Sequence, residues 1–353
     1  MTSETLERAK INNILIRAVN WLGDAVMTIP AIGAVRTSFP GARITLLANP
    51  LVAELFTPHE WIDEVVVYHR KGSHAGLRGK LAIAEELKKH RFDLAILLQN
   101  AFDAALLAWL ARIPRRMGYQ TDCRGLLLTH GSRVLDETRR LHQVEYYLAM
   151  LKEQGITTGD RRLLLTVTQE EERDVAEMLK VEGVGEGDFL LGINPGATYG
   201  SAKRWYPERF AQVAVELSRR WGARVVITGG ANEADIAGEI EAAMGGECLN
   251  MTGRTSVRTL MALIRRCNFF ITNDSGPMHI AAAFGVPLVA IFGPTDHTTT
   301  SPFSERAAVV RQDTECAPCL LRECPTDHRC MAGVLSGDVV AAALRLKEKI
   351  GQV

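Results

Sequence analysis

"FFITNDSGPMHIAAAFGVPLVAIFGPTD", residues 269–296, runs from one apolar stretch to another through a segment of helical spacing. "FFITND" reads as a buried strand, "GPMHIAAAFG" as a helix that stops at Gly285 before Pro287, and "PLVAIFG" as the next strand. Asp274 and Ser275 then stand at a strand's carboxyl end, where both are good helix caps, and Pro277 falls in the first turn, where its missing N–H matters least. The same geometry can bind an anion, because the open N–H groups and positive dipole end of a helix attract phosphate. Gly276 permits close approach, and His279 lies four residues after Ser275 on the same helical face. Capping and anion binding explain Asp274 and Ser275 equally well at this point.

The same rhythm extends outward over the whole chain. In the first half, "NILIRAV", "RITLLAN", "EVVVYH" and "LAILLQN" read as strands, with helices in "GDAVMTIPAIGAVRTSF" and "LAIAEELKKH" between them. In the second, "FLLGINPG", "PERFAQVAVELSRRWG", "RVVITGG" and "EADIAGEIEAAM" repeat the alternation. Such order predicts parallel sheets with helices on both faces, an α/β class. The polar run "TVTQEEERD", residues 166–174, reads as a linker followed by a helix. We therefore expect one doubly wound domain over 1–165, a second over 166–334, and a last helix over 335–353 that could pack back on the first domain. Two such domains in tandem are expected to face a cleft.

A chain of 353 residues suits two domains better than one. Forty-one basic residues balance forty-one acidic ones, which excludes a strongly basic nucleic-acid binder and makes any polyanion site local. Every apolar run falls short of the ~20 residues that a bilayer requires, and the N-terminus lacks the apolar core of a secretory signal, so a cytoplasmic protein is expected.

Three ordered segments resemble glycosyltransferase family 9, the heptosyltransferases of the lipopolysaccharide inner core: "NWLGDAVMTIPAI", "NPGATYGSAKRWYPERFA" and "NDSGPMHIAAAFGVPLVAIFGPTD". "AKRW" and the asparagine before "DSG" look most like the branch that adds the second heptose. The resemblance implies the GT-B fold with Rossmann-like domains, the acceptor bound mainly by the first (1–165) and the nucleotide sugar by the second (166–334), an ADP-L-glycero-β-D-manno-heptose donor, a Kdo-lipid A type inner-core acceptor with peripheral contact at the cytoplasmic face of the inner membrane, and no cofactor. Inverting transfer needs a base on the acceptor hydroxyl, and Asp24 is the expected one; a helix cap is its plain alternative. Only Gly23 precedes Asp24, so the G-x-G-x-x-G turn of a dinucleotide-binding dehydrogenase is absent.

Lys203 would neutralise charge on the departing ADP, with Arg204 a further contact. Thr198, Glu233, Asp274, Ser275, Gly276 and His279 complete the expected donor site, Glu233 as a ribose ligand; Asp274 would be repelled by diphosphate unless it faces sugar hydroxyls or caps the helix. On the acceptor side, Arg70, Lys71, Arg78 and Lys80 cluster in "YHRKGSHAGLRGK", where they could meet carboxylates and phosphates. Arg124 and His142 join them on resemblance.

"CAPCLLRECPTDHRC" holds Cys316, Cys319, Cys324, His328 and Cys330, enough for a tetrahedral metal clip. Spacing of this kind is a weak signal, and no metal is expected. The rival functions are another family 9 transferase with a different core acceptor, a non-catalytic nucleotide-sugar-binding protein, and a GT-B-like epimerase.

Overall fold

The computed structural model describes residues 8–351 and divides the chain into two units with the boundary between Thr166 and Val167. The first unit contains β1 (Asn13–Arg17), α1 (Leu22–Met27), α2 (Ile29–Ser38), β2 (Arg43–Ala48), α3 (Pro50–Leu55), β3 (Glu64–Val67), α4 (Gly76–Lys89), β4 (Leu94–Leu97), α5 (Phe102–Leu110), β5 (Arg115–Tyr119), β6 (His130–Ser132), α6 (Asp136–Arg139) and α7 (Gln143–Glu153). Its sheet has the order β3-β2-β1-β4-β5-β6, every pair parallel.

The second unit contains α8 (Gln169–Val181), β7 (Leu190–Asn194), α9 (Pro207–Trp221), β8 (Arg224–Ile227), α10 (Ala234–Ala243), β9 (Leu249–Asn250), α11 (Val257–Arg266), β10 (Phe269–Asn273), α12 (Gly276–Ala283), β11 (Leu288–Phe292), α13 (His297–Thr300), β12 (Ala307–Arg311), α14 (Arg329–Ala332) and α15 (Ser336–Gly351). Its order, β12-β11-β10-β7-β8-β9, is the same doubly wound pattern. In each unit the first strand lies between the second and the fourth, so the chain reverses its winding there. Loops that leave the carboxyl ends of those two central strands diverge to opposite faces and open a crevice. The central strands are buried along their length, with β7, β10 and β11 apolar on both faces as a covered parallel sheet requires.

Three local expectations change. The first long helix breaks into α1 and α2, because Pro30 cannot donate within a continuous helix; at the break the Thr28 hydroxyl donates to the Ala25 carbonyl at 2.7 Å. The polar run 166–174 is mostly the first turn and a half of α8. Thr168 accepts from the Glu171 N–H at 3.2 Å while the Glu171 carboxylate accepts from the Thr168 N–H at 2.8 Å, a reciprocal cap that starts the helix at Gln169. Finally, α15 packs against α9, β11 and β12, and it buries Val339, Ala342, Ala343 and Leu346 in the second unit's core. The apolar face that the sequence left available to the first domain is occupied here.

Glu171 also ties α8 to α11, where the Arg258 guanidinium donates to both of its carboxylate oxygens at 2.6 Å. Arg258 first, with help from the Thr168 N–H and against partial desolvation, holds the Glu171 carboxyl below the usual glutamate range. A carboxyl depressed in the folded state adds stability above its unfolded value and loses it as pH falls through its folded value. Glu171→Gln is expected to destabilise the protein by about 1 kcal/mol at pH 7. In urea titrations the gap between variant and wild type should close as pH drops below about 4.

Candidate functional site

In the second unit the crevice lies beyond β7 and β10. Two asparagines at the strand ends fix its walls. Asn194, at the end of β7, donates to the Thr228 carbonyl at 3.0 Å and accepts from the Ser275 hydroxyl at 3.0 Å. Asn273, at the end of β10, donates to the Pro195 carbonyl at 2.7 Å and accepts from the Trp205 N–H at 3.2 Å. Loops 195–205 and 274–276 are thus stitched together from below by buried amides. The Trp205 ring is fully buried and donates to the Val334 carbonyl at 3.0 Å, which anchors the far end of the first loop.

Lys203 and Asp274 meet in this crevice. The ammonium stands 2.5 Å from Asp274 Oδ2, with side-chain exposures of 14% and 6%, and the Thr295 hydroxyl donates to the same oxygen at 2.6 Å. The Tyr199 ring lies 5.1 Å from the ammonium. Asp274 is therefore neither a cap nor a lone carboxylate. Ser275 occupies the N-cap position of α12, yet its side chain makes no capping bond and turns to Asn194 instead. The backbone donors of the first turn, Gly276 and its neighbours, are consequently left for an anion, except at Pro277, which has none. His279 is buried one turn in.

Glu233 reaches the same loop from the other side. It is 6% exposed, accepts from the Gly230 N–H at 2.8 Å, and lies so close to Gly196 that a Cβ there would stand 2.1 Å from its carboxylate. Gly196 is thus what admits the acid into the crevice. Thr198 is exposed at the loop's tip. Asn194 and Thr295 were not anticipated, and Asn273 was noted only as a mark of the resemblance; the asparagines' place at the ends of apolar runs was the one local hint of their role.

In the first unit Asp24 sits half-buried in the first turn of α1, just beyond β1 at that unit's own reversal point. Its charge acts on Tyr147 of α7: burial, then the Asp24 carboxylate and the neighbouring tyrosines, push the Tyr147 phenol well above its ordinary value. An open cavity of about 790 Å³ in this unit is lined by Asn100, Gln120, Asp122, Arg133, Arg139 and Tyr146, among others. Arg133 and Arg139 supply cations that the sequence reading passed over, although Arg139 stands in "TRRLHQ", a visibly basic run.

Arg124 is fully buried rather than open to a ligand. It donates to the carbonyls of Tyr119, at 2.7 Å, and Gln99, and to Asn100 Oδ1 at 2.7 Å, and burial lowers its pKa to about 10. It lies behind the cavity's lining and holds one of the lining residues, Asn100. His142 is the N-cap of α7, its Nδ1 accepting from the Val144 N–H at 3.2 Å. Lys80 pairs with Asp103 and joins α4 to α5, whereas Arg70, Lys71 and Arg78 are exposed.

The cysteines divide by environment. Cys316 and Cys319 are exposed, Cys324 is half-buried, and Cys330 lies in the core. The His328 ring is turned to the Ala202 carbonyl, and among the described residues no group of three or more His, Cys, Asp or Glu is placed to hold a metal ion.

Residues 80–329 match the family model for glycosyltransferase family 9 (heptosyltransferase). The lipopolysaccharide heptosyltransferase 2 of Salmonella typhimurium is 31% identical over 306 residues, which cover 84% of this chain and 87% of that one. A glycosyl transferase family 9 structure from Veillonella parvula aligns with a TM-score of 0.88 at 26% identity, over 99% of this chain and 100% of the other. The structure of E. coli ADP-heptose lipopolysaccharide heptosyltransferase II aligns with a TM-score of 0.81 at 28% identity, over 96% and 99%. Matched over more than half its length by the family model, and above 30% identity to a relative that spans most of it, the chain belongs to glycosyltransferase family 9, the heptosyltransferases, and its two doubly wound units are those of the GT-B fold.

Proposed function

We propose that this glycosyltransferase moves L-glycero-D-manno-heptose, with inversion, from ADP-heptose to a lipopolysaccharide inner core that already carries one heptose. The observation that carries the reading is the half-buried Lys203 ammonium beside the uncapped first turn of α12, a pairing suited to a diphosphate. Kinship with proteins named heptosyltransferase 2 supports the choice of the second heptose.

An ammonium has three donors. Asp274 Oδ2 engages one, which aims the group while leaving donors for phosphate oxygens. As the glycosidic bond to the diphosphate lengthens, negative charge grows on ADP, and Lys203 with the α12 N–H groups stabilises it where water is largely excluded. Asp24 takes the proton from the attacking acceptor hydroxyl. Thr198, Ser275, Gly276 and His279 line the donor's diphosphate and sugar, and Glu233 accepts from its ribose. Arg70, Lys71, Arg78, Arg133 and Arg139 bind acidic groups of the core.

The lipid-linked acceptor brings the enzyme to the cytoplasmic face of the inner membrane as a peripheral protein. No helix of the described residues is long and apolar enough to cross it. Residues 1–166 carry five more Lys and Arg than Asp and Glu, and residues 167–353 five fewer. Exposed Leu77 and Leu81 on α4 flank Lys80, while Phe102 on α5 neighbours its partner Asp103 and Trp109 lies two turns further on the same helical face. An apolar face in a basic unit suits the interface of anionic lipid.

Three measurements test this. ADP release from ADP-heptose should require an acceptor bearing one heptose, and Asp24→Asn should lower it by about 100-fold or more without weakening ADP binding; release with an acceptor lacking heptose, or near-normal turnover of a folded variant, overturns the assignment. Lys203→Ala should cut kcat about 100-fold or more, and Asp274→Asn should retain more activity than Lys203→Ala because the ammonium remains. For the membrane, the double variant Phe102→Ser, Trp109→Ser should sediment several-fold less with phosphatidylglycerol vesicles and keep its activity on a lipid-free acceptor; unchanged sedimentation rejects the face.

A further inference from the structure

The cysteine-bearing segment has contacts that neither metal binding nor the transfer reaction explains. From Leu320 to His328 it is bonded to the loop that carries Lys203. The Tyr199 hydroxyl donates to the Leu320 carbonyl at 2.9 Å, the Ala202 N–H donates to the Arg322 carbonyl at 3.0 Å, and His328 Nε2 donates to the Ala202 carbonyl at 2.7 Å. The two segments press so closely that a Cβ on Gly200 would stand 2.2 Å from the Arg322 carbonyl oxygen. The Arg322 guanidinium and the Lys203 ammonium both lie over the Tyr199 ring, 5.3 and 5.1 Å from its centre. The Leu320 N–H donates to the Pro294 carbonyl at 2.8 Å, one residue before Thr295, which bonds Asp274.

One end of this strap is fixed. His328 is followed directly by α14, whose Cys330 and Met331 sit in the core, and the Met331 and Ala332 N–H groups bond the His328 carbonyl at 3.0 and 2.9 Å. His328 itself holds a φ of +54°, and Leu320 one of +57°, left-handed conformations that are unfavourable for a side-chain-bearing residue. Such strain persists only where surrounding contacts enforce it. Here the contacts that profit are those with residues 199–202.

We propose that the segment Leu320–His328 is a clasp that sets the position of Lys203, and that His328 is its positioning residue. The imidazole acts through the backbone. It grips the Ala202 carbonyl, the peptide group that leads into Lys203, while the Ala202 N–H is held by Arg322, so both polar groups of the residue before the lysine are fixed from one side. A shift of the lysine backbone by about 1 Å would move the ammonium out of line with the diphosphate, a displacement that can cost about 100-fold in rate. The inference rests on the reading of Lys203 as the leaving-group cation.

The test is a double-mutant cycle on the full chain, with ADP-heptose as donor and thermal unfolding recorded for every variant. His328→Ala should lower kcat/KM for the donor by about 10-fold or more in an otherwise native protein, and by less than about 2-fold when added to Lys203→Ala, because coupled residues are non-additive. His328→Gln, whose amide can reach the Ala202 carbonyl, should recover most of the loss. Should His328→Ala not fold, Tyr199→Phe, which removes only the bond to Leu320, is carried through the same cycle. Wild-type kinetics in the first variant, or a loss that multiplies in full onto Lys203→Ala, overturns the clasp while leaving the role of Lys203 intact. If Lys203→Ala is itself silent, the reading of the donor site falls and the clasp with it.

Discussion

The ion pair between Lys203 and Asp274 is the constraint around which the second unit is arranged. Two opposite charges, one 14% and one 6% exposed, tolerate burial only while they face each other. Removing either partner from such a pair typically costs about 3–5 kcal/mol, because the survivor is left desolvated. Keeping them together requires that the loop after β7 and the turn after β10 hold a fixed separation. The buried amides of Asn194 and Asn273 meet that requirement from beneath, Thr295 from the side and the strap ending at His328 from above. The strand order makes it possible, since only at the reversal of winding do two neighbouring strands send their loops apart.

This arrangement also bears on the proposed donor site, where an acid would stand beside a diphosphate. Asp274 in isolation would repel the donor. Bound to Lys203 it contributes direction, and the pair together carries no net charge before the donor arrives. In the proposed donor site, the negative charge of the donor is met by backbone dipoles and by an ammonium already desolvated, so little reorganisation accompanies bond breaking.

Much of this was legible in the chain. The segment 269–296 declared strand, helix and strand because its apolar runs end in polar residues and its helix is closed by Gly285 and Pro287. Lys203 stood out by following a glycine-bearing loop. Other features lay beyond local pattern. Lys80 looked available for an acceptor because its partner, Asp103, is on another helix, and Arg124 was a candidate by resemblance alone, since two of the three groups that enclose it, on Gln99 and Asn100, lie far upstream in the chain. The short edge strands β6, "HGS", and β9, "LN", carry no apolar run at all and form only because a neighbour offers its edge. The break between α1 and α2 was visible in Pro30, and the apolar periodicity on either side concealed it.

The boundary between Thr166 and Val167 separates two halves that each complete a six-stranded sheet and a core. A change that reshapes the basic cavity near Arg133 and Arg139 need not disturb the packing around Trp205, and the reverse is equally true. Such a chain can diverge one half at a time. On the proposed division of acceptor and donor between the halves, a lineage can adopt a new sugar surface as its recipient while inheriting, untouched, the machinery that holds an activated one, which makes division of the fold a route to the variety of outer-surface carbohydrates.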